Sequence, residues 1–129
     1  MRLKQISVFL ENTPGHLEDV CKALAETGVN LLTITIAETK EYGIVRAIVD
    51  KPDAAAAALK AAGFFAKLVD VLAVEVEDKP GALLQILKKT SEAGLNIEYM
   101  YALTRPFNDK PVMAMSFKDI DKAEQLLSK

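Results

Sequence analysis

The 129-residue sequence predicts an α+β fold made of two βαββαβ units in tandem, each with an antiparallel sheet, the second lacking its last strand. Two internal matches and one periodicity carry that expectation. Glu11-Asn12-Thr13-Pro14-Gly15-His16-Leu17 returns as Glu77-Asp78-Lys79-Pro80-Gly81-Ala82-Leu83, an offset of 77 − 11 = 66. Glu26-Thr27-Gly28-Val29-Asn30 returns at the same offset as Glu92-Ala93-Gly94-Leu95-Asn96. Around both matches the apolar spacing switches between a strand period of two and a helical period near 3.6. A duplicated unit of roughly sixty residues buries only about 60% of its unfolded surface, so each copy is marginal alone. The copies are taken as residues 1–70 and 71–129, and function is expected where they meet.

In the first copy, Ile6, Val8 and Leu10 alternate with Gln5, Ser7 and Phe9 as a first strand. Thr13-Pro14 then supplies a hydroxyl cap and a ring suited to a helix start. Leu17, Val20, Cys21, Leu24 and Ala25 make the apolar stripe of that helix, and Gly28 stands where a left-handed residue ends it. Asn30 to Glu38 reads as a strand with Leu32, Ile34 and Ile36 on one face and Thr33 and Thr35 on the other. Lys40-Glu41-Tyr42-Gly43 turns the chain into a third strand, Ile44 to Asp50. Pro52 opens an alanine-rich helix, Gly63 closes it, and Phe64 to Val69 forms a fourth strand.

The second copy repeats the scheme with strand Leu72 to Val76, helix Pro80 to Ala93, strands Asn96 to Thr104 and Val112 to Phe117, and helix Ile120 to Leu127. Its closing strand is missing, which leaves a sheet edge to be covered. Phe64 to Glu77 contains no Gly, Pro or Asn for a tight turn, so one long bent strand is expected to serve both copies and to limit their freedom.

Composition narrows the function classes. A net charge of −2 gives no electrostatic reason to hold phosphates, so nucleic acid is not an expected partner. No apolar run approaches the roughly 18 residues of a membrane span. Met1-Arg2-Leu3-Lys4 leads into a strand pattern rather than a signal core, and the expected location is the cytoplasm. Cys21 is the lone cysteine and is read as core, with a reactive thiol as the minor reading. No second His or Cys stands at ligand spacing to His16, so neither a metal nor another cofactor is expected.

A βαββαβ unit whose first strand runs into Asn-x-Pro-Gly-x-Leu, followed by a helix ending Gly-Val-Asn and an apolar strand, resembles the ACT domain, the small-molecule-sensing module of amino-acid metabolism. The resemblance covers nearly the whole chain in tandem and implies a ferredoxin-like fold for each unit. Its architecture is similar to the stand-alone regulatory subunits of acetolactate synthase. It further implies an amino acid held between two ACT units, by the loop after the first strand of one and the start of the second strand of the other. Carried over, the loop residues are Asn12, Gly15, His16 and Leu17 with Asp78, Gly81, Ala82 and Leu83, and the strand residues are Asn30 and Asn96. Asp78 departs from the pattern: a carboxylate accepts from an ammonium group but repels a carboxylate, so two pseudo-symmetric sites would not be equivalent.

The chemistry of a zwitterion fits these residue types. Amides at Gly15 to Leu17 sit at a helix N-terminus, where unpaired N–H groups favour an anion, and Asn12 and Asn30 each carry a donor and an acceptor. The structural alternatives are helix capping for Asn12 and a loop end for Asn30. His16 is read equally as a wall of the ligand site or as a solvated imidazole. Arg46, aligned with Met113 in the second copy, either clamps a carboxylate or pairs with an acidic side chain across the sheet. Tyr99 and Tyr101 share a face opposite Met100 and are expected at a packed interface, with plain sheet packing as the alternative.

The expected function is therefore a non-catalytic regulatory module that binds a small amino acid and modulates an enzyme of amino-acid metabolism, with a homodimer as the preferred assembly. A ligand-free protein-interaction module is the first alternative and a ferredoxin-like enzyme the second. Enzyme chemistry needs a positioned titratable pair or a nucleophile with its base, and the chain offers few.

Overall fold

The computed structural model describes residues 1–11, 13–38, 41–104 and 110–128. Among these, the elements run β1 (Arg2–Glu11), α1 (His16–Glu26), β2 (Leu31–Glu38), β3 (Tyr42–Val49), α2 (Pro52–Ala61), β4 (Phe65–Glu75), α3 (Ala82–Glu92), β5 (Ile97–Ala102), β6 (Val112–Phe117) and α4 (Ile120–Leu127). The tandem βαββαβ expectation holds. β4 is one strand of 11 residues through the stretch that lacks turn residues.

The chain forms two compact units, Lys4–Val69 and Asp70–Lys129 together with Met1–Leu3. In the first, the antiparallel strand order is β2-β3-β1-β4. Ile6, Val8 and Leu10 of β1 and Val45, Ala47 and Val49 of β3 meet Val20 and Leu24 of α1 and Ala55 and Leu59 of α2 in one core. Leu59 is fully buried, which at about 25 cal/mol per Å² makes it a main support of this layer. The alanine run is thus part of an ordinary amphipathic helix, with Ala55 and Ala56 buried and Ala54 and Ala57 exposed. The stripe of α1 is narrower than expected, because Leu17 is 39% exposed and Ala25 is also exposed while Ala23 packs inward.

In the second unit, β4 pairs with β6 and β6 with β5, both antiparallel. Leu72, Val74, Met115 and Phe117 pack on Ala123 of α4, with Leu83, Ile86 and Met100 around them. Met1–Leu3 joins this unit beside β4. The Ala73 amide donates to the Met1 carbonyl at 2.7 Å, and the Met1 nitrogen donates to the Ala73 carbonyl at 3.4 Å. Arg2 secures this segment: Nε donates to Glu124 Oε1 at 3.2 Å, a second guanidinium nitrogen meets Asp121, and a third lies 3.8 Å from Asp70. The bond to Asp121 first, and then the nearby carboxylate charge, push the Arg2 pKa up from its ordinary value.

One irregularity recurs in both units at equal offset. The register slips between Leu31 and Thr33 against β3, and between Ile97 and Tyr99 against β6. Such a bulge puts two residues opposite one and turns the strand. It changes the expected alternation of β2 at one place: Leu31, not Leu32, packs on the core, while Thr33 is buried on the other face as expected. Ile34 and Ile36 then lie on the helix side of a strand that the helices do not reach, 39% and 48% exposed.

Candidate functional site

The loop after the first strand is built the same way in both units. The Thr13 amide donates to the Glu11 carbonyl at 2.9 Å, His16 to Thr13 at 3.5 Å, and Asp19 to Gly15 at 3.0 Å. The second unit repeats these bonds as Lys79 to Glu77 at 2.9 Å, Ala82 to Lys79 at 3.3 Å and Gln85 to Gly81 at 3.1 Å. The helix caps are Gly15 and Gly81, left-handed at φ 92° and 84°, and no side chain caps either helix. This corrects the Thr13 hydroxyl cap. Glycine is needed because an L side chain at that φ is strained, although a Cβ at either position would meet open space. The uncapped amides of the first turn keep the anion-favouring character of a helix N-terminus.

Around this frame the candidate residues fall as follows. His16 is half-buried and Leu17 exposed; Asp78 and Gly81 are exposed, and Ala82 and Leu83 half-buried. Asn12 lies outside the described residues. The loop of the second unit carries an ion pair, Lys79 Nζ to Glu77 Oε2 at 2.8 Å, where the first copy has Thr13 at the place of the lysine. The hydrogen bond from Lys79, followed by its charge, holds Glu77 below the ordinary carboxylate range and raises Lys79 in turn.

The strand asparagines stand at the other end of each unit. Glu11 pairs with Tyr42 at one end of β3 and Leu31 with Val49 at the other. Seven steps of about 3.4 Å put the loop and Asn30 roughly 24 Å apart within a unit. The loop and Asn30 of one unit therefore do not meet within that unit. Both asparagines follow a matched helix end, where Gly28 and Gly94 are left-handed at φ 72° and 71°. Val29 donates to the Leu24 carbonyl at 3.0 Å and Leu95 to Thr90 at 2.8 Å, closing each helix. Asn30 is also engaged by a residue that sequence reasoning missed: its amide donates to Asp50 Oδ1 at 2.9 Å, and the Asp50 amide donates back to the Asn30 carbonyl at 3.1 Å.

Arg46 is flanked across the ladder by Ser7 and Thr35, not by an acid directly opposite. The matching row in the second unit is Ala73, Ala114 and Tyr101, so the counterpart of Arg46 is Ala114 and not Met113. The shift of two arises because Tyr101 and Ala114 pair across a separation of 114 − 101 = 13 residues, whereas Thr35 and Arg46 pair across 46 − 35 = 11. Tyr99 and Tyr101 pair with Ser116 and Ala114, both buried, on the face opposite Met100. Two open concave surfaces have no candidate residue in their lining, one along Lys60 and Gly63 to Ala66 and one on α3 around Leu84 and Lys88.

A family model described as an ACT domain pair matches residues 1–128. The chain belongs to the ACT domain family. Among solved structures, this ACT pair is similar to a protein of Bacteroides thetaiotaomicron at 38% identity and TM-score 0.90, covering 99% of this chain and 88% of that one. The regulatory subunit of aspartate kinase from Thermus thermophilus, in a ligand-free form, shares the fold at 20% identity and TM-score 0.67, covering 97% and 88%. The corresponding Thermus flavus subunit does so at 18% and 0.64, with the same coverage. No curated protein matches the chain. Among the described residues of the ACT pair, no helix is long and apolar enough to cross a membrane, and no group of three His, Cys, Asp or Glu could hold a metal ion.

Proposed function

We propose that this ACT pair is a non-catalytic regulatory module that binds an amino acid at a junction between ACT units and modulates an enzyme of amino-acid metabolism. The observation that carries the reading is the duplicated glycine-capped loop, whose matched hydrogen bonds present first-turn amides in each unit. Gly15, His16 and Leu17, with Asn12 beside them in sequence, and Gly81, Ala82 and Leu83 with Asp78, are the loop contacts; Asn30 and Asn96 are the strand contacts. Arg46 is assigned to a ligand carboxylate. The regulatory role is supported by the family and by the aspartate kinase regulatory subunits that share the fold. Affinity is expected in the micromolar to millimolar range, roughly, because so small a ligand offers few atoms.

Isothermal titration against each of the twenty amino acids, with melting curves alongside, tests the proposal. Heat and a raised midpoint with at least one of them are expected; a flat response to all would remove it. A second reading, an interaction module that pairs with its own copy without ligand, is favoured by the exposed Ile34 and Ile36 on β2. A dimer by light scattering in the same flat titration would select it.

A further inference from the structure

The loop end of the first sheet carries an aromatic row on the face away from its helices. Ile6, Val8 and Leu10 of β1 pack on the helical core, so Phe9 points to the other face; Ala66 and Leu68 of β4 do the same, which sends Phe65 there too. Met1 and Ala73 exchange two backbone bonds, and the Phe9 and Phe65 rings stand 5.4 Å apart. Eight residues forward from Met1 and eight back from Ala73 lead to Phe9 and Phe65, so β1 and β4 are antiparallel in one register and the two rings are direct neighbours. On its other side Phe9 pairs with Ile44, and Ile44 with Ala37, while Tyr42 stands next to this row opposite Glu11. Phe9 is 40%, Tyr42 60% and Phe65 68% exposed. At about 200 Å² per ring, they leave roughly 340 Å² of aromatic surface to solvent, a size that marks interaction sites. The fold does not require these rings: in the second unit Glu75 takes the place of Phe9 and Lys110 that of Tyr42, and the two form an ion pair at 3.8 Å. Charges of opposite sign frame the row in the first unit, Glu11 two residues outward of Phe9 and Lys67 two residues inward of Phe65. Both are exposed, and among the described residues neither is in an ion pair. Ser7, beside Lys67 in the same register, is buried and closes the patch on its inner side.

We propose that this row is a self-association surface, covered by the same row of a second copy of this chain. Its charges are self-complementary. A two-fold axis lying along the row sets Phe9 on the partner's Phe9 and Phe65 on the partner's Phe65, and it turns the outward direction of one copy into the inward direction of the other. Glu11 then falls over the partner's Ser7, beside the partner's Lys67, and the same contact is made a second time by symmetry. One patch thereby supplies both the apolar centre and the charged rim of an interface. The inference is independent of amino-acid binding, and its face is not the one that carries Ile34 and Ile36. The patch is smaller than the roughly 800 Å² that each partner of a stable interface buries, so the association is weak, with the chain monomeric near about 10 µM and dimeric toward about 1 mM.

Sedimentation equilibrium of the full chain between about 10 µM and about 1 mM, without added ligand, provides the test. A monomer that passes to a dimer over this range is expected. Phe65→Lys is expected to weaken the dimer roughly tenfold or more, the scale of losing a central aromatic contact. Glu11→Lys and Lys67→Glu are each expected to weaken it roughly fivefold, and the double variant to restore the original constant, because the swapped charges again face each other. That rescue separates the two-fold contact from mere apolar adhesion. A monomer at every concentration would overturn the inference and leave the row to a different protein. A dimer unchanged in Phe65→Lys would overturn it by placing the interface elsewhere, and charge variants without mutual rescue would overturn it by removing the two-fold contact. None of these outcomes bears on amino-acid binding. All three positions are exposed, and far-ultraviolet circular dichroism at about 10 µM verifies that each variant is folded.

Discussion

Arg2 Nε donates to Glu124 Oε1 across 3.2 Å, tying the first strand of the chain to its last helix. The bond makes Met1–Leu3 part of the unit formed by Asp70–Lys129. With Asp121 and Asp70 also on the guanidinium, the segment is held by three carboxylates. Arg2→Ala is therefore expected to release it. Hydrogen exchange at the Ala73 amide, whose acceptor is the Met1 carbonyl, should rise before exchange in the β1 residues of the other unit, such as Val8. Equal acceleration at both would show that Arg2 supports the whole molecule and not this strand.

The glycine caps supply a second expectation. Gly15→Ala and Gly81→Ala each place a Cβ in open space, so the cost is conformational, about 1–2 kcal/mol per site from the left-handed φ. Denaturant unfolding measures it. A larger loss would mean a contact made in the loop, and no loss would mean the loop turns freely to another conformation.

Core packing differs in kind from surface packing here. Leu59→Ala in the first unit and Met115→Ala in the second, both fully buried, are each expected to cost about 2–5 kcal/mol. Phe65→Ala, at 68% exposed, is expected to cost well under that range. Thermal unfolding of the three variants ranks them, and a Phe65 effect equal to that of Leu59 would show that a partner covers the ring.

The loop ion pair has a pH signature. Glu77 titrates below its ordinary 4.5, so the stability it lends is present above that value and fades as pH falls through the lowered folded pKa. Lys79 titrates above its ordinary 10.5, so its share is present below that value and fades as pH rises through the raised one. Lys79→Thr, which installs the residue of the first copy, should return the Glu77 carboxyl toward 4.5 in a carbon-detected NMR titration. An unmoved Glu77 would put the cause elsewhere, with Lys110 the remaining nearby cation.

Asp50 acts through backbone bonds, which separates it from the Asn30 side chain. Asp50→Ala is expected to cost about 1 kcal/mol by removing the acceptor of the Asn30 amide, whereas Asn30→Ala keeps both backbone bonds and should be close to neutral. Paired urea titrations read the difference, and the opposite order would show that the carboxamide carries the contact.

Much of this molecule was legible in its sequence because the deciding forces are local. Gly28 and Gly94 had to be left-handed to end their helices, the alanine run had to be helical, and a stretch without turn residues had to stay extended as β4. The 66-residue repeat then required one fold twice, down to the same loop bonds. What only the tertiary structure decided depends on partners far apart along the chain. Nothing near Met1 announces that it will stand beside Ala73, since a closing strand is chosen by which edge lacks one, not by its own pattern. The bulges at Leu31–Thr33 and Ile97–Tyr99 exist only against β3 and β6, and the first brings Leu31 in place of Leu32 onto the core. The Asp50 bond to Asn30 likewise follows from strand register, which a single pass along the residues does not contain.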